Sequence, residues 1–162
     1  MGKQRQMKTR SGRILLSALA CAAVSLAGWR ADAESNRVTF PDNLDRLVHY
    51  TTVTRGNVTE HILTSREAID AVKSGQPVPN GTHFVLVDYR DGAVFRYFVM
   101  EKGEGWGTDY DERRRTGDWQ FQWFNPDQTI NMNENTARCQ SCHQGREDSQ
   151  YLYTFNDISV FE

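Results

Sequence analysis

Thr82-His83-Phe84-Val85-Leu86-Val87-Asp88-Tyr89-Arg90, then Asp91-Gly92, then Ala93-Val94-Phe95-Arg96-Tyr97-Phe98-Val99-Met100-Glu101 is the stretch on which the fold turns. Two runs rich in β-branched and aromatic residues flank a dipeptide that tolerates positive φ at both positions, as a two-residue hairpin turn requires. The stretch predicts two long antiparallel strands.

Working outward, the same grammar recurs upstream. Val48–Thr54 (VHYTTVT) and Asn57–Leu63 (NVTEHIL) read as strands around Arg55-Gly56, a second hairpin. Thr64-Ser65-Arg66-Glu67 has the capping-box pattern and opens a short helix, with Ala68, Ile69 and Val72 three and four apart. Gly75 stops that helix, and Pro77 and Pro79 follow. Downstream, Lys102 to Gly117 is glycine-rich and charged and reads as a long loop. Its basic run Arg113-Arg114-Arg115 follows acidic residues and reads as solvated. Asp118–Phe124 (DWQFQWF) alternates aromatic and polar residues, as a half-buried strand does. The segment from Asp127 to His143 is polar and helix-compatible. Ser149–Val160, with Tyr151, Tyr153 and Phe155 alternating, reads as a last strand. The predicted class is α+β: mainly antiparallel sheet with short flanking helices and a C-terminal helix.

That C-terminal helix carries Cys139-Gln140-Ser141-Cys142-His143, a C-x-x-C-H pentapeptide. Two thiols at this spacing can add to the vinyl groups of a haem while the adjoining imidazole reaches the iron. A thioredoxin-like dithiol competes with this reading, but it needs a βαβ pattern that is missing. Half of a zinc site is the other competitor, and it needs two more ligands at recognisable spacing. Cys21 lies far upstream, and His49, His61 and His83 form no such pair. The motif therefore predicts one covalent haem c, with Cys139 and Cys142 as thioethers and His143 as the axial iron ligand.

The N-terminus points the same way. Lys3, Arg5, Lys8, Arg10 and Arg13 precede an apolar run from Ile14 to Gly28, and Ala31-Asp32-Ala33 fits a small-x-small cleavage site. Residues 1–33 are expected to be a signal peptide, residues 34–162 the haem domain, and the location periplasmic. The leader carries six of 19 basic and one of 21 acidic residues, leaving 13 against 20, a formal charge of −7. Such a domain is a poor partner for nucleic acid or an anionic membrane. No membrane attachment is expected after cleavage. A homodimer is compatible with the sequence, which does not specify a redox partner protein.

A haem motif near the C-terminus of a β-rich chain resembles the cytochrome P-460 family, which includes cytochrome c′-beta. The resemblance runs from Phe40-Pro41-Asp42-Asn43 through Pro79-Asn80-Gly81-Thr82 and Gly117-Asp118-Trp119-Gln120-Phe121 to Cys139–His143 and Tyr151–Phe155. It implies an antiparallel sheet with flanking helices and a five-coordinate haem whose open face meets nitric oxide or hydroxylamine. In hydroxylamine-oxidising members, a lysine five residues after the turn glycine cross-links to the porphyrin. Counted from Gly81, that position is Leu86. The chain therefore looks more like the gas-binding branch.

Strand parity extends the resemblance. Thr82, Phe84 and Leu86 share a face, and the cross-link position implies that this face meets the haem. Phe84 and Leu86 are candidate distal-pocket residues, equally readable as ordinary core. Thr59, His61 and Leu63 share a face that, in the family register, also points at the pocket. His61 is thus a candidate distal hydrogen-bond donor or sixth ligand, against a surface or structurally paired histidine. Met100 and Met132 read as packing or as thioether ligands, and Arg138 and Arg146 as propionate partners or solvated charges. Three functions follow: an exported mono-haem cytochrome binding a small ligand such as nitric oxide, an oxidoreductase acting on hydroxylamine or nitric oxide, or a low-spin electron-transfer cytochrome.

Overall fold

The computed structural model describes Gly2 and residues 36–162, so the signal-peptide reading lies outside the described residues. Five strands form one antiparallel meander in sequence order: β1 (Val48–Arg55), β2 (Val58–Thr64), β3 (His83–Arg90), β4 (Ala93–Lys102) and β5 (Trp119–Phe124). Three short α-helices accompany them among the described residues: α1 (Arg66–Lys73), α2 (Ala137–His143) and α3 (Phe155–Ser159). The class is α+β and mainly β, as the hairpin grammar predicts.

The β3–β4 turn is the expected one. Asp91 and Gly92 sit at φ 49° and 81°, the left-handed pair that lets two right-twisted strands meet through two residues. Helix α1 buries Ala68, Ile69 and Val72 against the sheet. Its cap differs by one residue from the reading of Thr64. Ser65 Oγ accepts from Ala68 N–H at 3.2 Å, whereas Thr64 ends β2 and its hydroxyl donates to the His83 carbonyl at 2.8 Å. Cross-strand bonding claims Thr64 first.

Register fixes which residues face inward. Ile62 pairs with Leu86, Leu86 with Phe98, and Phe98 with Trp123. One step along, Thr64, Phe84, Met100 and Phe121 form a parallel row. These rows share one face with Trp119, α1, α2 and α3. On the other face, Val85, Val87, Tyr97, Val99 and Phe124 pack beneath Val38 and Phe40.

Strand β5 is buried along its whole length, a correction to the half-buried reading. The N-terminal segment covers its polar face. Gln120 accepts from Arg37 N–H at 2.8 Å and donates to Asp109 at 2.6 Å, and Asn36 donates to the Phe121 carbonyl at 2.8 Å. A buried amide with both ends bonded is tolerated where an unpaired one would cost about 1–3 kcal/mol.

The final segment is also corrected. Instead of a strand over Ser149–Val160, a 3₁₀ turn (Gln144–Ser149) is followed by left-handed Gln150 and Tyr151 and then by α3. Left-handed residues interrupt an extended ladder, and Ile158 of α3 is fully buried. The Tyr151–Tyr153–Phe155 alternation places aromatic rings on different neighbours and builds no sheet edge. Arg113–Arg115 is not simply solvated either. Arg114 donates to Gln140 Oε1 at 2.8 Å, and Arg115 to the Gly107 carbonyl at 2.8 Å, tying the long loop to α2.

Candidate haem site

Helix α2 gathers the motif onto one stripe. At about 100° per residue, Cys139 and His143 lie roughly 40° apart around the axis, with Cys142 roughly 60° to the other side. Gln140 points away, is 1% exposed, and takes the Arg114 guanidinium. The stripe opens on a cavity of about 600 Å³ between α2 and the inner sheet face. Cys139, Cys142 and His143 line one side; Ile62, Phe84, Leu86, Phe98, Phe121 and Trp123 line the sheet side.

His143 is held on three sides. Its Nδ1 lies 2.6 Å from the Tyr151 carbonyl, which can only accept, so Nδ1 carries the proton and Nε2 is the lone-pair nitrogen. The Phe121 ring centroid is 4.8 Å from the imidazole, and Tyr153 meets it edge-on at 5.1 Å. The Tyr153 hydroxyl donates to the Cys142 carbonyl at 3.0 Å, joining this clamp to α2. Burial pushes the His143 pKa down and Arg146 adds to that, against the Tyr151 hydrogen bond. A neutral, oriented imidazole is the form that ligates a metal. Burial raises the Cys139 thiol to about 11, partly offset by the Trp123 indole. Cys142 is exposed.

Phe84 and Leu86 both line the cavity. His61 does not, and the reading of it as distal donor or sixth ligand is corrected. Antiparallel pairing sets His61 opposite Val87, on the other sheet face. There its ring stacks on His49 at 4.4 Å and meets Tyr89 at 4.8 Å. The inward residues of β2 are its neighbours Glu60 and Ile62. Sequence reading missed Glu60, a carboxylate only 9% exposed, which accepts from the Arg55 guanidinium at the cavity edge. The β2–β3 register would have identified it, but residues 65–82 separate those strands and no short turn sets that register.

Met100 lines the cavity within the core cluster beside Phe84 and Phe121, whereas Met132 is 58% exposed. Arg138 lines the cavity; Arg146 lies 4.5 Å over the Tyr153 ring. Among the described residues no group of three or more histidine, cysteine or acidic side chains converges as a metal site, so the zinc alternative gains no further ligands.

The residues fit a haem. The volume falls within the roughly 300–1,000 Å³ of cofactor sites, the lining is mainly apolar, and two thiols and an imidazole nitrogen open onto it. Sheet and site together define a cytochrome-type haem domain. The family model described as Cytochrome P460 matches residues 41–154, and the chain belongs to that family. Haem is the cofactor this membership implies. No curated protein matches the chain.

Proposed function

We propose that the protein is an exported cytochrome carrying one covalent haem c, which binds a small uncharged nitrogen oxide such as nitric oxide at an open axial position. The observation that carries this reading is one shared cavity onto which the C-x-x-C-H helix and the aliphatic–aromatic sheet face both open. Cys139 and Cys142 would anchor the group and His143 Nε2 would ligate it. The iron, when bound, supplies the coordination position for the ligand.

The chain's own residues account for selectivity. Ile62, Leu86 and Phe98 line the cavity with groups that offer no hydrogen bond and exclude water. Diatomic gases tolerate such a wall and charged species do not. With leucine at position 86 there is no amine to cross-link. His61, turned away, cannot complete a low-spin pair.

The oxidoreductase reading has one observation in its favour. Glu60 brings a carboxylate to the cavity, held by Arg55, where a substrate such as hydroxylamine would find a proton acceptor. The optical spectrum of the reduced, exported protein separates the readings. A high-spin spectrum that changes on adding nitric oxide supports gas binding; a red-shifted Soret band supports the cross-linked oxidase type. Sharp low-spin bands support electron transfer. A pyridine haemochrome assay finding no covalent haem would overturn all three.

A further inference from the structure

Gln150 and Tyr151 are consecutive non-glycine residues at φ 52° and 65°. L-residues avoid this region because Cβ crowds the following carbonyl, and two in succession persist only where the surroundings impose them. The surroundings here are specific. Gln150 Oε1 accepts from Val78 N–H at 2.7 Å, and Gln150 Nε2 donates to the Gln76 carbonyl at 3.1 Å. Val78 is 1% exposed and lies between Pro77 and Pro79, in a segment outside the sheet ladder, so its N–H depends on that side chain. Within the turn, Tyr151 N–H donates to the Arg146 carbonyl at 2.6 Å. The Tyr151 ring lies so close over Gly117 that a Cβ there would meet Cε2 at 2.8 Å. The output of this bracing is one bond, from His143 Nδ1 to the Tyr151 carbonyl at 2.6 Å.

We propose that Gln150 is a positioning residue for His143: its carboxamide locks the strained turn that aims the Tyr151 carbonyl at Nδ1, and so sets the donor strength of the imidazole toward haem iron. The inference rests on His143 being the axial ligand. A proximal imidazole that donates strongly from Nδ1 gains basicity at Nε2, which favours the ferric state and stiffens the iron–histidine bond. A turn released from its anchor relaxes out of the left-handed region and carries the carbonyl with it.

The test uses the haem-loaded protein and its Gln150→Leu and Gln150→Ala variants, both of which remove the two amide anchors and keep the strained backbone position. Three measurements are made on each: the midpoint potential, the iron–histidine stretching frequency of the ferrous form, and the thermal midpoint. The Nδ1 chemical shift of His143 in the haem-free protein gives a readout independent of iron. The expected result is an Nδ1 shift toward a weaker hydrogen bond, a lower stretching frequency, and about a tenfold gain in the ferrous-to-ferric ratio, about 59 mV for one electron. Unchanged potential, frequency and Nδ1 shift in variants with a full haem complement would overturn the proposal, even if their thermal midpoints fell. Should Gln150→Leu fail to accumulate, Gln150→Ala decides alone, since it removes the carboxamide, adds no bulk and keeps the Cβ that disfavours the left-handed backbone. Absence of covalent haem in the parent would instead remove the underlying haem reading.

Discussion

Ile62 stands directly across the β2–β3 ladder from Leu86, and that one pairing sends His61 to the opposite face of the sheet. Because side chains alternate along a strand, a one-residue shift in register would exchange Ile62 for His61 and an apolar cavity wall for a polar one.

His61→Ala is expected to leave the haem spectrum and nitric oxide affinity of the loaded protein unchanged. The loss of ring contacts with His49 and Tyr89 on a partly exposed face lowers stability by less than about 1 kcal/mol. Spectral titration beside chemical unfolding checks both parts. A change of spin state in the variant would restore His61 as a ligand.

Leu86→Ala is expected to widen the cavity next to Ile62 and Phe98. Alkyl isocyanides should gain at least about tenfold in affinity relative to carbon monoxide, the scale of one to two methylene contacts. Equal ratios in parent and variant would place Leu86 away from the ligand.

Glu60→Gln removes the one carboxylate that lines the cavity among the described residues. Azide and cyanide binding to the ferric protein should strengthen by about fivefold, on the scale of roughly 1 kcal/mol for one unit of charge, with neutral ligands unaffected. The discriminating measurement is the anion-to-neutral ratio of affinities at fixed ionic strength.

Glu101 makes stability depend on pH. Burial alone would raise its pKa. Hydrogen bonds from His83 and from Thr39 N–H, the latter at 3.0 Å, outweigh burial and hold the carboxyl below its ordinary 4.5. A carboxylate depressed in the folded state contributes stability that is full above pH 4.5 and is lost as pH falls through the folded value. Glu101→Gln should therefore flatten the acid limb of a stability–pH curve below pH 4.5. An unchanged limb would remove Glu101 from the account.

The two motif thiols should differ in the haem-free protein. Cys142 is exposed, while burial holds the Cys139 thiol at about 11, leaving roughly one part in ten thousand as thiolate at pH 7. Iodoacetamide followed by mass spectrometry is expected to find Cys142 alkylated well before Cys139. Equal rates would mean that α2 does not pack against Trp123 in that state.

Local chemistry was legible along the chain. Asp91-Gly92 specifies its turn through left-handed backbone that few other dipeptides accept, and Cys139–His143 sets two thiols and an imidazole at a spacing that one helical turn makes convergent. The inward face of Phe84 and Leu86 followed from alternation once the resemblance indicated which face to choose. Tyr151 to Phe155 misled, because aromatic alternation does not reveal that residues 150 and 151 are left-handed.

What the sequence alone determined is the set of short-range signals: two hairpins, a capped helix and a thiol–imidazole motif, each encoded within a few residues. Only the tertiary structure decided that Glu60 and not His61 faces the cavity, that Arg114 braces α2, and that Tyr151 offers its carbonyl to His143. Those relationships depend on the register between strands separated by a helix and on contacts between distant segments. Such alignments are settled by the packing of the whole inner face, which no local pattern encodes.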